Sequence, residues 1–272
     1  MKLLPFDPTF CIITPTPYLE QFASQSSMHL VLAHLVDTDE RYANFYHNRD
    51  ELKIMDNGAF ELGQSYNPDK LLELAAKCDA DVIVLPDYPG QPGSKTIEAA
   101  EKYLPIFKKA GYRVMFVPQS LKGDVDDYVK CYEWAANHPG IDVIGCSILG
   151  MPNAIPYCDV SYARVVMSQI LIERGVFNFN KFHHYLGIQN ISLEIPTLLR
   201  MKCLNSCDSS NPVWAGISGF KYNTTGDSYL QVSKRYLHEV NFNEKLHKLE
   251  ILDIVQYNVD IALGLFESQT QL

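Results

Sequence analysis

The sequence predicts a (β/α)₈ barrel, the TIM-barrel architecture, and three observations predict it. The chain has 272 residues, close to the roughly 250 that such a barrel uses. Eight strand-sized apolar runs recur along it, most of them separated by amphipathic stretches of helical period. Neither G-x-G-x-x-G nor G-x-x-x-x-G-K-[ST] occurs anywhere, so the open doubly wound sheet lacks the phosphate turn it would need.

Strands are expected over Phe10–Thr14, His29–Leu35, Lys53–Asp56, Asp81–Pro86, Arg113–Pro118, Val143–Ser147, His184–Ile188 and Pro212–Gly216. Between them the spacing predicts helices over Asp69–Lys77, Thr96–Ala110, Asp124–Ala136, Val160–Arg174 and Ile195–Leu204. The segment Ser228–Glu267 has helical periodicity, with apolar positions from Leu230 to Val255. No repeat, low-complexity tract or linker divides the chain, which reads as one domain over residues 1–272 with a helical C-terminal extension at 228–267.

Composition narrows the function classes. Lys plus Arg is 23 against 32 Asp plus Glu, a net charge of −9. That argues against broad, non-specific nucleic-acid coating and leaves room for a local basic groove. No apolar run approaches the roughly 20 residues needed to span a bilayer, and no secretory leader is expected. The seven scattered cysteines read as reduced, buried thiols of a cytoplasmic protein (host cytoplasm if phage-encoded). Cys203 and Cys207 find no further partners at zinc spacing, so neither a metal nor a cofactor is expected.

In a barrel the C-terminal strand ends build the active site. Those ends carry Asp56-Asn57-Gly58-Ala59-Phe60, Asp87-Tyr88-Pro89, Gln119-Ser120, Gly145-Cys146-Ser147 and His184-Tyr185-Leu186-Gly187; Cys207-Asp208-Ser209 precedes the last strand. Each alone also reads as turn or capping chemistry. Together they can perform displacement at an anomeric carbon, with Asp208 as nucleophile and Asp56 as acid/base. Asp87, Gln119 and backbone amides near Gly145 would suit the edge of a purine-like base, with Phe60 and Leu186 sandwiching the ring.

The same series resembles the tRNA-guanine transglycosylase family, the queuine and archaeosine enzymes. Asp56-Asn57-Gly58-Ala59-Phe60-Glu61 is similar to its D-S-G-G-[FY]-Q, and Val117-Pro118-Gln119-Ser120 to its V-Q-G. Ile144-Gly145-Cys146-Ser147 is similar to its I-G-G-L, His184-Tyr185-Leu186-Gly187-Ile188 to its Y-L-M-G-[VI], and Cys207-Asp208 to its F-D-C-V-x-P. The resemblance spans about residues 50–220 and departs at Asn57, Ala59, Glu61 and Ser147. It also lacks the family's C-terminal zinc cysteines, which points to the compact DNA 7-deazaguanine transglycosylases of phage and bacteria.

The resemblance implies a glycosyltransferase that replaces guanine in DNA with a free 7-deazaguanine-type base through a covalent aspartyl-glycosyl intermediate on Asp208. Asp56 is then the acid/base group. Asp87, Gln119, Gly145, Phe60, Leu186 and Gly187 hold the base. Lys221, Lys234, Arg235, Lys245 and Lys248 are phosphate candidates, although a solvated helix face is the plainer reading for most of them. A tRNA substrate, a base exchanger or N-glycosidase acting on free nucleosides, and a non-catalytic base-binding barrel are the alternatives.

Overall fold

A computed structural model describes residues 2–226, 241–245 and 249–267. Eight parallel strands alternate with helices in a nearly closed barrel: β1 Thr9–Ile12, β2 Met28–Val31, β3 Leu52–Met55, β4 Val82–Val84, β5 Arg113–Phe116, β6 Val143–Ser147, β7 Phe182–Leu186 and β8 Ser206–Ser209. The helices are α1 Ala33–Thr38, α2 Glu40–His47, α3 Ala59–Leu62, α4 Pro68–Lys77, α5 Gly93–Lys109, α6 Val125–Asn137, α7 Gly150–Ala154, α8 Val160–Glu173, α9 Ile191–Arg200, α10 Asn211–Ile217 and α11 Leu249–Glu267. The (β/α)₈ expectation therefore holds.

Hydrogen-bonded neighbours run β1-β8-β7-β6-β5-β4-β3-β2. The seam between β1 and β2 carries no backbone ladder among the described residues, although the two lie side by side. It is bridged instead by the Ile12 N–H, which donates to Ser26 Oγ at 2.9 Å. Several helices start where side-chain oxygens cap them: Asn67 accepts from Lys70 N–H, Asp124 from Asp127 N–H and Asn190 from Leu193 N–H. Each cap satisfies an amide that the first turn leaves without a partner.

Two expected strands fall differently, and the helix expected over Ile195–Leu204 runs over Ile191–Arg200. The apolar run His29–Leu35 is a strand only to Val31 and then turns helical at Ala33. A continuous apolar run does not distinguish a buried strand from a buried helix. Pro212–Gly216 is helix, the body of α10, with Pro212 in its first turn, where a missing N–H costs nothing. The eighth strand is the preceding Ser206-Cys207-Asp208-Ser209, four buried residues with little apolar character. Asp208 consequently stands on a strand of the barrel rather than in a loop before one.

The C-terminal helix α11 packs against α10. Its buried stripe is Val255, Val259, Ala262 and Phe266, whereas Leu249, expected to be apolar-facing, is exposed. Residues 228–240 of the expected C-terminal helix, and Leu246 within it, lie outside the described residues. At the contact, a Cβ on Gly216 would lie 2.6 Å from Val255 Cα, so only glycine permits that approach. All seven cysteines are free thiols, six of them buried.

Candidate active site

A cavity of about 190 Å³ opens at the C-terminal ends of the strands. Asp56, directly after β3, extends the ladder by donating its N–H to Val31 O at 2.9 Å. Its Oδ2 accepts the Gly58 N–H at 2.8 Å, closing a tight turn in which Gly58 takes φ +80°. A Cβ at Gly58 would meet the Tyr66 ring at 3.0 Å, a second reason for glycine there. The turn delivers α3, a single helical turn that carries Phe60 and Glu61 to the cavity wall.

Behind this turn runs a buried polar chain across three strand ends. Asn57 Nδ2 donates to Leu85 O at 2.9 Å and to Asp87 Oδ1 at 2.6 Å, while Asn57 Oδ1 accepts the Ala59 N–H at 2.9 Å. Gln119 Nε2 donates to Asp87 Oδ2 at 2.6 Å. Asp87 thus ties the β4 and β5 ends to the turn that bears Asp56 and Glu61.

The carboxylates shift one another's proton affinity. Burial pushes Asp56 up to about 6, opposed by the Gly58 N–H and reinforced by the negative charges of Asp87 and Asp208. Burial pushes Glu61 up to about 8, with Asp56 and Asp208 adding repulsion. Its side chain keeps 22% exposure, so water moderates that shift. His34 Nδ1 lies 3.8 Å from Glu61, but burial lowers its own affinity for a proton. Asp87 also rises to about 6 by burial, with Asn57 and Gln119 pulling it back.

Across the cavity, Asp208 Oδ1 accepts the Gly187 N–H at 3.0 Å and lies 3.1 Å from His184 Nε2. On its other side, His184 Nδ1 lies 2.7 Å from the Ser206 hydroxyl. The loop Leu186–Asn190 that supplies Gly187 is clamped by a buried ion pair. Arg164 Nη2 meets Glu194 Oε2 at 2.6 Å, and both side chains are fully buried. Arg164 also donates to Leu186 O at 2.6 Å and to Gly187 O at 3.0 Å. Glu194 Oε1 accepts the N–H groups of Gln189 and Asn190 at 3.0 and 2.9 Å. Nearly every polar backbone group of this wall is held, so the wall is preorganised.

The cavity gathers Asp56, Phe60, Asp87, Leu186, Gly187 and Asp208 from the residues that the sequence singles out. Two others stand behind it. Gln119 is fully buried, with its amide nitrogen donating to Asp87 and its amide oxygen without a partner among the described residues. A Cβ on Gly145 would meet Val117 Cγ2 at 2.8 Å, so that glycine serves packing inside the barrel. Lys221 is exposed, with its ammonium 4.0 Å over the Tyr257 ring, and neither it nor Lys245 lines the cavity. Lys234, Arg235 and Lys248 lie outside the described residues.

Sequence reasoning missed Glu61 as a site residue, together with Trp214, Phe242 and the clamp. Glu61 had a readable signal, a second carboxylate five residues after Asp56 in the same turn. Arg164 and Glu194 had none, being single charges on two separate helices. Among the described residues no three His, Cys, Asp or Glu side chains come together as a metal site.

No protein-family profile matches the chain, and no curated protein does. Among solved structures, it is similar to a protein assigned as a fructose-1,6-biphosphate aldolase from Coccidioides immitis. The two are 12% identical with a TM-score of 0.52, over 97% of this chain and 92% of that one. A dihydrodipicolinate synthase from Acinetobacter baumannii (12% identity, TM-score 0.46, 97% and 100% covered) and an N-acetylneuraminate lyase from Fusobacterium nucleatum (10%, 0.46, 96% and 96%) match less well. At these identities the likeness is one of fold.

These findings overturn the transglycosylase resemblance. No sequence family supports the motif series, and the Coccidioides structure that shares the fold is assigned as an aldolase. The assignment to DNA base exchange is corrected accordingly. So are the tRNA, free-nucleoside and non-catalytic alternatives, the glycosyltransferase class and the nucleic-acid partner. The geometry gives a physical reason: both oxygens of Asp87 already hold protein amides, and Gln119 and Gly145 do not reach the cavity, so the expected base-reading edge is not assembled.

Proposed function

We propose that this barrel is an acid–base lyase or isomerase acting on a small organic molecule, with Asp56 as the base and Glu61 as the acid. The observation that carries this reading is the pair itself: two carboxylates on one turn, facing one cavity, pushed to about 6 and about 8. Near neutral pH such a pair holds one group ionised and the other protonated, which is how environments assign acid and base roles. In an elimination, Asp56 would take the proton of a C–H bond whose electrons form the new double bond. The C–O bond on the neighbouring carbon would break as Glu61 delivers its proton to the departing hydroxyl, which leaves as water. Solvent then resets both carboxyl groups.

Asp208 serves as an anchoring acceptor on the opposite wall, and Asp87 positions the catalytic turn. The Coccidioides neighbour's assignment as an aldolase agrees with lyase-type chemistry in a barrel mouth. A lysine Schiff base has no support in the cavity, since no lysine lines it among the described residues. Lys53 is fully buried but sits near the opposite end of β3, donating to Tyr46 O and Arg49 O at 2.9 Å each. We also read residues 1–272 as one barrel domain working in the cytoplasm, supported by the free thiols. Among the described residues no helix is long and apolar enough to cross a membrane.

The test is a panel of small β-hydroxy carbonyl compounds and their amino analogues incubated in D₂O, with deuterium uptake at carbon and alkene formation followed by NMR. Asp56→Asn should lose both by about 10²- to 10⁴-fold. Glu61→Gln should keep the exchange and lose the elimination. Borohydride trapping of a lysine adduct, or wild-type turnover by Asp56→Asn, would overturn the assignment.

A further inference from the structure

The charge inventory of the cavity is one-sided. Asp56, Glu61, Asp87 and Asp208 line it, and no lysine or arginine does among the described residues. Among the described residues, phosphorylated or carboxylate substrates would meet like charge there and no counter-ion. The rest of the lining is largely apolar, with Phe60, Trp214 and Phe242 as its aromatic members. A separate observation points to a ligand: Trp214 is nine-tenths buried, and its indole N–H has no hydrogen-bond partner among the described residues. A buried donor left without an acceptor is costly, so a bound molecule that supplied one would be favoured.

We infer that the cavity binds an organic cation, an amidinium or protonated amine on a flat body that also carries a hydrogen-bond acceptor. The inference rests on the reading of this cavity as a substrate site, and it does not depend on the reaction run there. The cationic head would sit among Asp56, Glu61 and Asp208, neutralising charges that now repel one another. The flat body would lie against the aromatic lining, where a desolvated cation also gains from the ring faces. A dry cavity of ~150 Å³ holds a benzene-sized ring, so about 190 Å³ admits a one-ring cation.

The groups facing the head are Asp56 and Glu61, with His34 beside Glu61; Asp87, bonded to Asn57 and Gln119; and Asp208, bonded to His184. Because Glu61 is raised to about 8, a cation bound at neutral pH should expel a proton from this group.

Isothermal titration calorimetry with benzamidinium, benzamide and benzoate on the full chain tests this. Benzamidinium should bind at least about tenfold more tightly than its neutral isostere benzamide, and benzoate should not bind. Titrations in buffers of different ionisation heat should show proton release with benzamidinium alone. Glu61→Gln and Asp56→Asn, which preserve shape, should each weaken benzamidinium several-fold. Trp214→Phe should abolish any extra affinity of 4-hydroxybenzamidinium over benzamidinium. Benzamide or benzoate binding as tightly as benzamidinium overturns the inference, as does no benzamidinium binding to folded protein up to about 10 mM. Loss of turnover in Asp56→Asn beside unselective probe binding would overturn the cation and spare the reaction; the reverse pattern would do the opposite.

Discussion

Arg164→Met probes the clamp beneath the Asp208 wall. In the wild type the guanidinium meets Glu194 Oε2 at 2.6 Å and also holds the Leu186 and Gly187 carbonyls, and both charged partners are fully buried. Methionine fills a similar volume but leaves the Glu194 carboxylate with only two backbone donors, from Gln189 and Asn190. Stranding one member of a buried ion pair typically costs about 3–5 kcal/mol. For a domain of this size that corresponds to a melting point lower by about 6–20 °C. Urea denaturation followed by circular dichroism measures the cost, and amide exchange of Gly187, whose N–H holds Asp208, reports where it falls. Adding Glu194→Gln should recover part of the loss, because the stranded charge disappears while the backbone acceptor remains. A cost below about 1 kcal/mol with unchanged Gly187 exchange would refute the clamp.

Further outcomes follow from the site and the core. The folded-state affinities of Asp56, Asp87 and Glu61 are raised above their ordinary values. At these three groups the native state therefore binds more protons than the unfolded one between about pH 4 and pH 8, and their contribution to stability should fall as pH rises through that window, opposed at the acid end by His29, His34 and His183, whose proton affinity burial lowers. Asp56→Asn should stabilise the protein at pH 8 by about 1–2 kcal/mol, allowing for partial exposure, and do little at pH 4; equal melting-point shifts at both would contradict this. With an identified substrate, kcat/KM should be bell-shaped, with limbs near 6 and 8. Glu61→Gln should lower the rate and remove the alkaline limb, whereas an unchanged alkaline limb would assign the acid elsewhere. Gly216→Ala pushes a Cβ against Val255 backbone at 2.6 Å, and the overpacking should cost about 1–3 kcal/mol in a melting experiment; a neutral result would mean that α11 shifts freely.

Much of the frame was readable residue by residue. β6 matches its expected bounds, and α4, α6 and α8 lie within a residue of theirs, because each combines a regular hydrophobic period with a cap or a glycine stop. The eighth strand was not readable. Ser206-Cys207-Asp208-Ser209 has no apolar run, since its polar groups are satisfied inside the barrel by His184, Gly187 and Ile188 rather than by water. The transglycosylase series misled for a related reason. Short polar motifs at strand ends recur wherever a barrel mouth must be capped and turned, so their order carries barrel topology more than chemistry.

By itself the sequence determined the alternation of strands and helices, and hence the barrel, because those signals are local and repeat at fixed periods. It also placed Asp56, Asp87 and Asp208 near strand ends, where a barrel builds its site. The tertiary structure decided what these carboxyls are. Asp87 became a strut because Asn57 and Gln119 arrive from two other strands to take both its oxygens. Glu61 has a raised proton affinity because the fold buries its carboxyl at the cavity wall, with Asp56 and then Asp208 from β8 adding repulsion. Proton affinity depends on burial and on neighbouring charge, and both are set by residues far apart in the chain.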